Sequence, residues 1–178
     1  MKSPDTIAEA KPLYEEALSI RRRVLGVDHS DLADSLNNLA NWYHAHGKYD
    51  EAEPLYDEAL SITCRVLGAD RPNTESSLNN LANLYRAQGR YSKAEPLYAK
   101  ALSTRRRVFG TDHPDTADSL NNLAGLYLDQ GRFVEAASLQ KDAVAIMVQV
   151  LGVEHLKTKI VREYYERLLA KMQEKGAE

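Results

Sequence analysis

The chain has 178 residues, 43% of them hydrophobic and 28% charged, the balance of a folded, soluble protein rather than a disordered one. A net charge of −3 argues against capture of nucleic acid by bulk electrostatics. Cys64 is the one cysteine, so no disulfide can close within the chain; with no apolar signal region after Met1 and no apolar run long enough to span a membrane, a cytoplasmic location is expected.

Taken in order, the chain reads as a succession of helices. Over 7–25, Ile7, Leu13, Tyr14, Ala17, Leu18, Ile20 and Val24 recur at steps of three and four, the period of an amphipathic helix, and Gly26 closes it. A second helix over 31–46 carries Leu32, Leu36, Leu39, Ala40 and Tyr43 on one side and stops at Gly47. The turn that follows is so short that the next helix, 49–67, must run antiparallel beside it. That third helix copies the first: Pro54-Leu55-Tyr56 and Ala59-Leu60 match Pro12-Leu13-Tyr14 and Ala17-Leu18. The cycle continues with helices expected near 73–88, 91–109, 115–130 and 133–151, and a divergent last helix over 157–174. In the loops, an aspartate or glutamate followed by histidine or proline (Asp112-His113-Pro114, Glu154-His155) is expected to cap the next helix, the carboxylate accepting free backbone N–H groups. Pro54 and Pro96 fall about one turn into their helices, where a lost hydrogen bond costs least, and are read as helical.

The hexapeptide Ser-Leu-Asn-Asn-Leu-Ala begins at Ser35, Ser77 and Ser119, a step of 42 residues. A fixed period of this size marks a solenoid of stacked supersecondary units. The small residues Ala40, Ala82 and Ala124 allow close approach within a pair, and Ala52, Ala59 and their copies do the same from the other helix.

Leu36, Leu39, Ala40, Tyr43, Ala52, Tyr56 and Ala59 resemble the tetratricopeptide repeat pattern, as do their copies at 78–101 and 120–143, with Gln140 in place of the second aromatic. The family period is about 34; the step of 42, with Leu-Gly-x-Asp-His-Pro between units, is similar to the kinesin light chain subtype. The resemblance implies an all-α, right-handed solenoid of antiparallel helix pairs. On this reading 1–178 is one array: an unpaired second-type helix at 7–25, full repeats at 31–67, 73–109 and 115–151, and a C-terminal capping helix at 157–174. It further implies that the first helix of each pair lines a concave groove where a protein or peptide partner lies. The matching groove positions are Asp34, Asn37, Asn41 and His44, then Ser76, Asn79, Asn83 and Arg86, then Asp118, Asn121, Gly125 and Leu128.

Side-chain amides can bind a peptide backbone without demanding a particular side chain. The first asparagine of each doublet (Asn37, Asn79, Asn121) is therefore expected to meet a partner, and the second (Asn38, Asn80, Asn122) to be structural. Arg21-Arg22-Arg23 and Arg105-Arg106-Arg107 suggest an alternative, a nucleic-acid adaptor using the outer helices. Consecutive helical residues diverge by about 100°, however, and Thr63-Cys64-Arg65 interrupts the stripe, so a solvated outer face is the plainer reading. His29, His113 and His155 sit on different units, and His44 and His46 diverge, so no metal site is expected; Cys64 has no nearby base, and neither an enzyme nor a cofactor is expected. The two ends are complementary, one lacking a first-type helix and the other a second-type helix. End-to-end self-association, or a longer array, is the corresponding expectation.

Overall fold

The structure, a computed structural model, describes residues 10–68 and 71–176. Among the described residues there are eight helices and no strand. They are α1 (Ala10–Leu25), α2 (Ser30–Ala45), α3 (Tyr49–Val66), α4 (Pro72–Ala87), α5 (Tyr91–Phe109), α6 (Pro114–Asp129), α7 (Phe133–Leu151) and α8 (Leu156–Gly176). The expected boundaries hold to within two residues wherever they can be compared; residues 7–9 and Asp70 lie outside the described residues. Packing divides the chain into two compact units, 1–90 and 91–178, a boundary that falls between the two helices of the repeat expected at 73–109.

In the first unit α1 packs on α2, α2 on α3 and α3 on α4. The core is the apolar stripe read from the sequence: Leu18, Leu32, Ala33, Leu36, Leu39, Ala59 and Ile62 form one buried cluster, with Tyr43 and Leu55 against it. Ala40 and Ala52 are fully buried, so no bulky side chain at these two positions holds α2 and α3 apart. In the second unit α5 packs on α6, α6 on α7 and α7 on α8, and Ala124, Ala136 and Leu168 anchor the corresponding cluster. Leu120, Leu126 and Met147 fill the space that the alanines leave.

The turns hold because glycine stands where the backbone turns left-handed. Gly26 and Gly47 have φ of +77° and +69°, values that cost any other L-residue strain. Pro54 and Pro96 do lie inside α3 and α5, each as the sixth residue, with the ring exposed.

The caps correct the sequence reading. Histidine, rather than aspartate, occupies the N-cap of α2 and α6: the Nδ1 atoms of His29 and His113 accept the backbone N–H of Asp31 and Asp115, both at 3.2 Å. His155 Nδ1 accepts from Lys157 N at 3.2 Å before α8 in the same way. Nδ1 stands three atoms from Cα, as an asparagine Oδ1 does, so it reaches the same orphan donor. Asp112, the expected cap, lies one residue before the His113 N-cap, while Asp31 and Asp115 stand in the first turn, where their charge complements the helix dipole.

Candidate partner-binding groove

The first-type helices of the first unit are α2 and α4. Asp34, Asn41 and Ser76 are exposed on them, and Asn37, His44, Asn83 and Arg86 are half-buried. The two helices are tied by amides: Asn37 Nδ2 donates to Ser77 Oγ at 3.2 Å, and Asn80 Nδ2 donates to Asn37 Oδ1 at 3.5 Å. Beneath them Tyr56, buried in α3, donates its hydroxyl to Asn41 Oδ1 at 2.5 Å. Burial pushes the Tyr56 phenol well above the usual tyrosine range and holds the His44 imidazole below the usual histidine range. His44 is therefore neutral at neutral pH.

The division of labour between the doublet asparagines differs from the expected one. Asn38 is exposed, whereas Asn79 is 7% exposed and donates to the buried Glu75 carboxylate. Asn121 accepts from Gln140 Nε2 at 2.5 Å. The reason is angular. The first doublet position lies three residues before Ala40, Ala82 and Ala124, and so near the buried stripe that its amide is drawn into the helix–helix contact. The second lies further from the stripe than the sequence suggested: Asn80 and Asn122 are half-buried and Asn38 is not buried at all. Asn79 Oδ1 and Gln140 Oε1 are buried without a hydrogen-bond partner.

In the second unit the first-type helices are α6 and α8. Asp118, Asn121, Gly125 and Leu128 are all half-buried, and Lys157 Nζ of α8 stands 3.7 Å from the Asp118 carboxylate. One repeat step beyond them, α8 adds Ile160, Glu163 and Arg167, which the sequence reading missed. With Tyr164 they line a 280 Å³ depression, and Arg167 pairs with Glu163 at 2.5 Å. The 42-residue step alone would have located them; the missing Leu-Asn-Asn-Leu-Ala motif hid it.

A second missed feature recurs in both units. In the first, Glu53 of α3 accepts from the Tyr85 hydroxyl at 3.0 Å and pairs with Arg90 at 2.5 Å, and the Arg90 guanidinium lies 4.4 Å from the Tyr85 ring centre. In the second, Glu95 accepts from Tyr127 at 3.0 Å and pairs with Arg132 at 3.0 Å, with the guanidinium 3.8 Å over the ring. Burial, reinforced by the Glu53 bond, pushes the Tyr85 phenol up to about 12, and Tyr127 moves the same way for the same reasons.

The arginine runs are engaged within the fold. Arg21 Nη1 donates to Asp31 O at 2.8 Å and to Ser35 Oγ at 2.7 Å; Arg105 Nη1 donates to Asp115 O at 2.5 Å; Arg22 pairs with Glu58 at 2.5 Å. Each run thus spends one guanidinium on the first turn of the next helix. A cleft of 660 Å³ between α1 and α3, lined by Leu18, Arg22, Arg23, Leu39 and Leu55 among others, lies apart from every groove position. Among the described residues no group of three metal-ligating side chains converges, and no helix is long and apolar enough to cross a membrane.

No curated protein matches the chain. Among solved structures it is similar to the Podosopora anserina kinesin light chain-like protein of nearly identical TPR-like repeats, with 27% identity, a TM-score of 0.80, and coverage of 96% of this chain and 82% of that one. It is also similar to BtubC (BKLC) from P. vanneervenii, with 26% identity, a TM-score of 0.77, and coverage of 97% of this chain and 70% of that one. The tetratricopeptide repeat family pattern matches residues 6–65, 47–106 and 73–147. With its 42-residue helix pairs, the chain belongs to the tetratricopeptide repeat family, in the kinesin light chain-like form of that repeat.

Proposed function

We propose that the first-type helices hold an extended peptide segment of a partner protein, across α2 and α4 in the first unit and across α6 and α8 in the second. Repeats of this family generally mediate protein–protein interactions. The observation that carries the finer reading is the Asn37 bridge. By bonding Ser77 and reaching Asn80 it fixes α2 beside α4, with Asp34, Asn41 and Ser76 left exposed along the same two helices. Polar groups held in place before binding lose little entropy when a ligand arrives. Amides and hydroxyls satisfy an extended backbone, while Asp34 and Arg86 add charge selection at the ends. In this reading Asn37 and Asn79 build the floor, and Asp34, Asn41 and Ser76 make the direct contacts.

The test is selection of binding peptides from a displayed library, followed by titration against variants. Asp34→Lys and Ser76→Arg should each weaken the selected peptides at least tenfold, and Arg106→Glu on the outer helix α5 should leave them unchanged. Peptides indifferent to Asp34 and Ser76 but lost with Arg106→Glu would overturn the groove reading.

A further inference from the structure

α1 carries the face of an interior helix, left uncovered among the described residues. Tyr14 and Ile20 are 36% and 44% exposed, while their counterparts Tyr56 and Ile62 in α3 are 1% and 2% exposed beneath α2; Ala17 is exposed and Ala59 is fully buried. Among the described residues no helix covers this side of α1. The exposed apolar residues Leu13, Ala17, Ile20 and Val24 are spaced four, three and four apart, the seam of a two-stranded coiled coil.

We infer that α1 pairs with α1 of a second copy, antiparallel, to give a closed two-fold dimer. An axis passing between Leu18 and Ser19 sets Leu13 against the partner's Val24, and Ala17 against the partner's Ile20. These are the mixed layers an antiparallel seam needs, and Ala17 lets the helices approach closely. Charge fits the same register. The seam is flanked by Glu16 near the middle of α1 and Arg23 near its C-terminal end, both exposed. In the antiparallel pair Glu16 lies beside the partner's Arg23, and the symmetry makes that contact twice.

The chain's other end does not fit this face. α8 is a first-type helix, but Glu166 stands where Ala40, Ala82 and Ala124 allow close packing, with 67% of its side chain exposed. Arg162 stands where Leu36, Leu78 and Leu120 fill the pair, and it faces Glu166 at 3.8 Å. Docking α1 there would bury both charges, which costs more than the apolar contact returns. The seam is therefore isologous and closes at two copies, where a head-to-tail contact would grow.

Sedimentation equilibrium of the full chain over roughly 10 µM to 1 mM, the range of a small interface, should show a reversible monomer–dimer equilibrium with nothing larger. Ile20→Glu should leave a monomer whose circular dichroism is unchanged, because the position is on the surface. Glu16→Arg and Arg23→Glu should each weaken the dimer about tenfold, and the double variant should restore it, an outcome that survives even if Ile20→Glu misfolds. Leu169→Glu on α8 should have no effect. A monomer throughout, a mass that keeps rising with concentration and falls with Leu169→Glu, or a double variant no better than the singles would each overturn the pairing.

Discussion

At His29, His113 and His155 a single ring nitrogen closes the start of a first-type helix, and the loop motif takes its meaning from that contact. His113→Ala should cost about 1 kcal/mol, the usual loss for an N-cap, and His113→Asn should recover most of it, as thermal melts would show. The doublet asparagines separate on the same scale. Asn79→Ala removes a buried donor from Glu75 and should cost about 1 kcal/mol, whereas the exposed Asn38→Ala should change stability by less than about 0.5 kcal/mol. Equal effects would mean that the Asn79 amide contributes nothing in place. Repetition made these residues conspicuous in the sequence, but their roles were not legible there. A turn of 100° per residue places a side chain only to within a face, and both the doublet and the Asp-His pair sit at the edge of one. A difference of one position then decides between an exposed and a buried amide, or between the N-cap and the loop before it.

Whole helices were far more legible. Seven glycines, the alanine pairs and the leucine stripe repeat at one step, so each helix end is marked several times over, and the observed ends follow. What binds one pair to the next was hidden, because Glu53, Tyr85 and Arg90 are distant in sequence and individually ordinary. The clasp they make, like that of Glu95, Tyr127 and Arg132, joins a second-type helix to the end of the following first-type helix. It is absent around Tyr43, where Lys11 and Lys48 stand in place of the glutamate and arginine. The phenol supplies a pH signature. The folded state holds Tyr85 above its ordinary value near 10, so it favours the neutral phenol; that contribution is complete below about pH 10 and is lost as pH rises towards about 12. Melting temperature should therefore fall across this window, and Tyr85→Phe should make the fall shallower while lowering the plateau at neutral pH. A slope unchanged by Tyr85→Phe would show that the phenol does not report on the clasp.

On the scale of the molecule, a repeat chain is held by contacts between neighbours, and stability varies along it with the number of neighbours each helix has. α1 buries only Leu18, while α4 buries nine residues from Thr74 to Tyr85, Leu78, Leu81 and Leu84 among them. The order of opening follows from that difference. In dilute solution the amides of α1 should exchange with solvent first, and those of α4, α6 and α7 should be the last to exchange, at the rate of the cooperative core. If α1 pairs with a second copy through Leu13, Ala17, Ile20 and Val24, its protection should rise with protein concentration while that of α8 stays constant. Hydrogen exchange read by mass spectrometry at two concentrations separates the cases. Protection in α1 as strong as in α4 at the lower concentration would mean that this face is covered within a single chain, and the reading of α1 as an open face would fall.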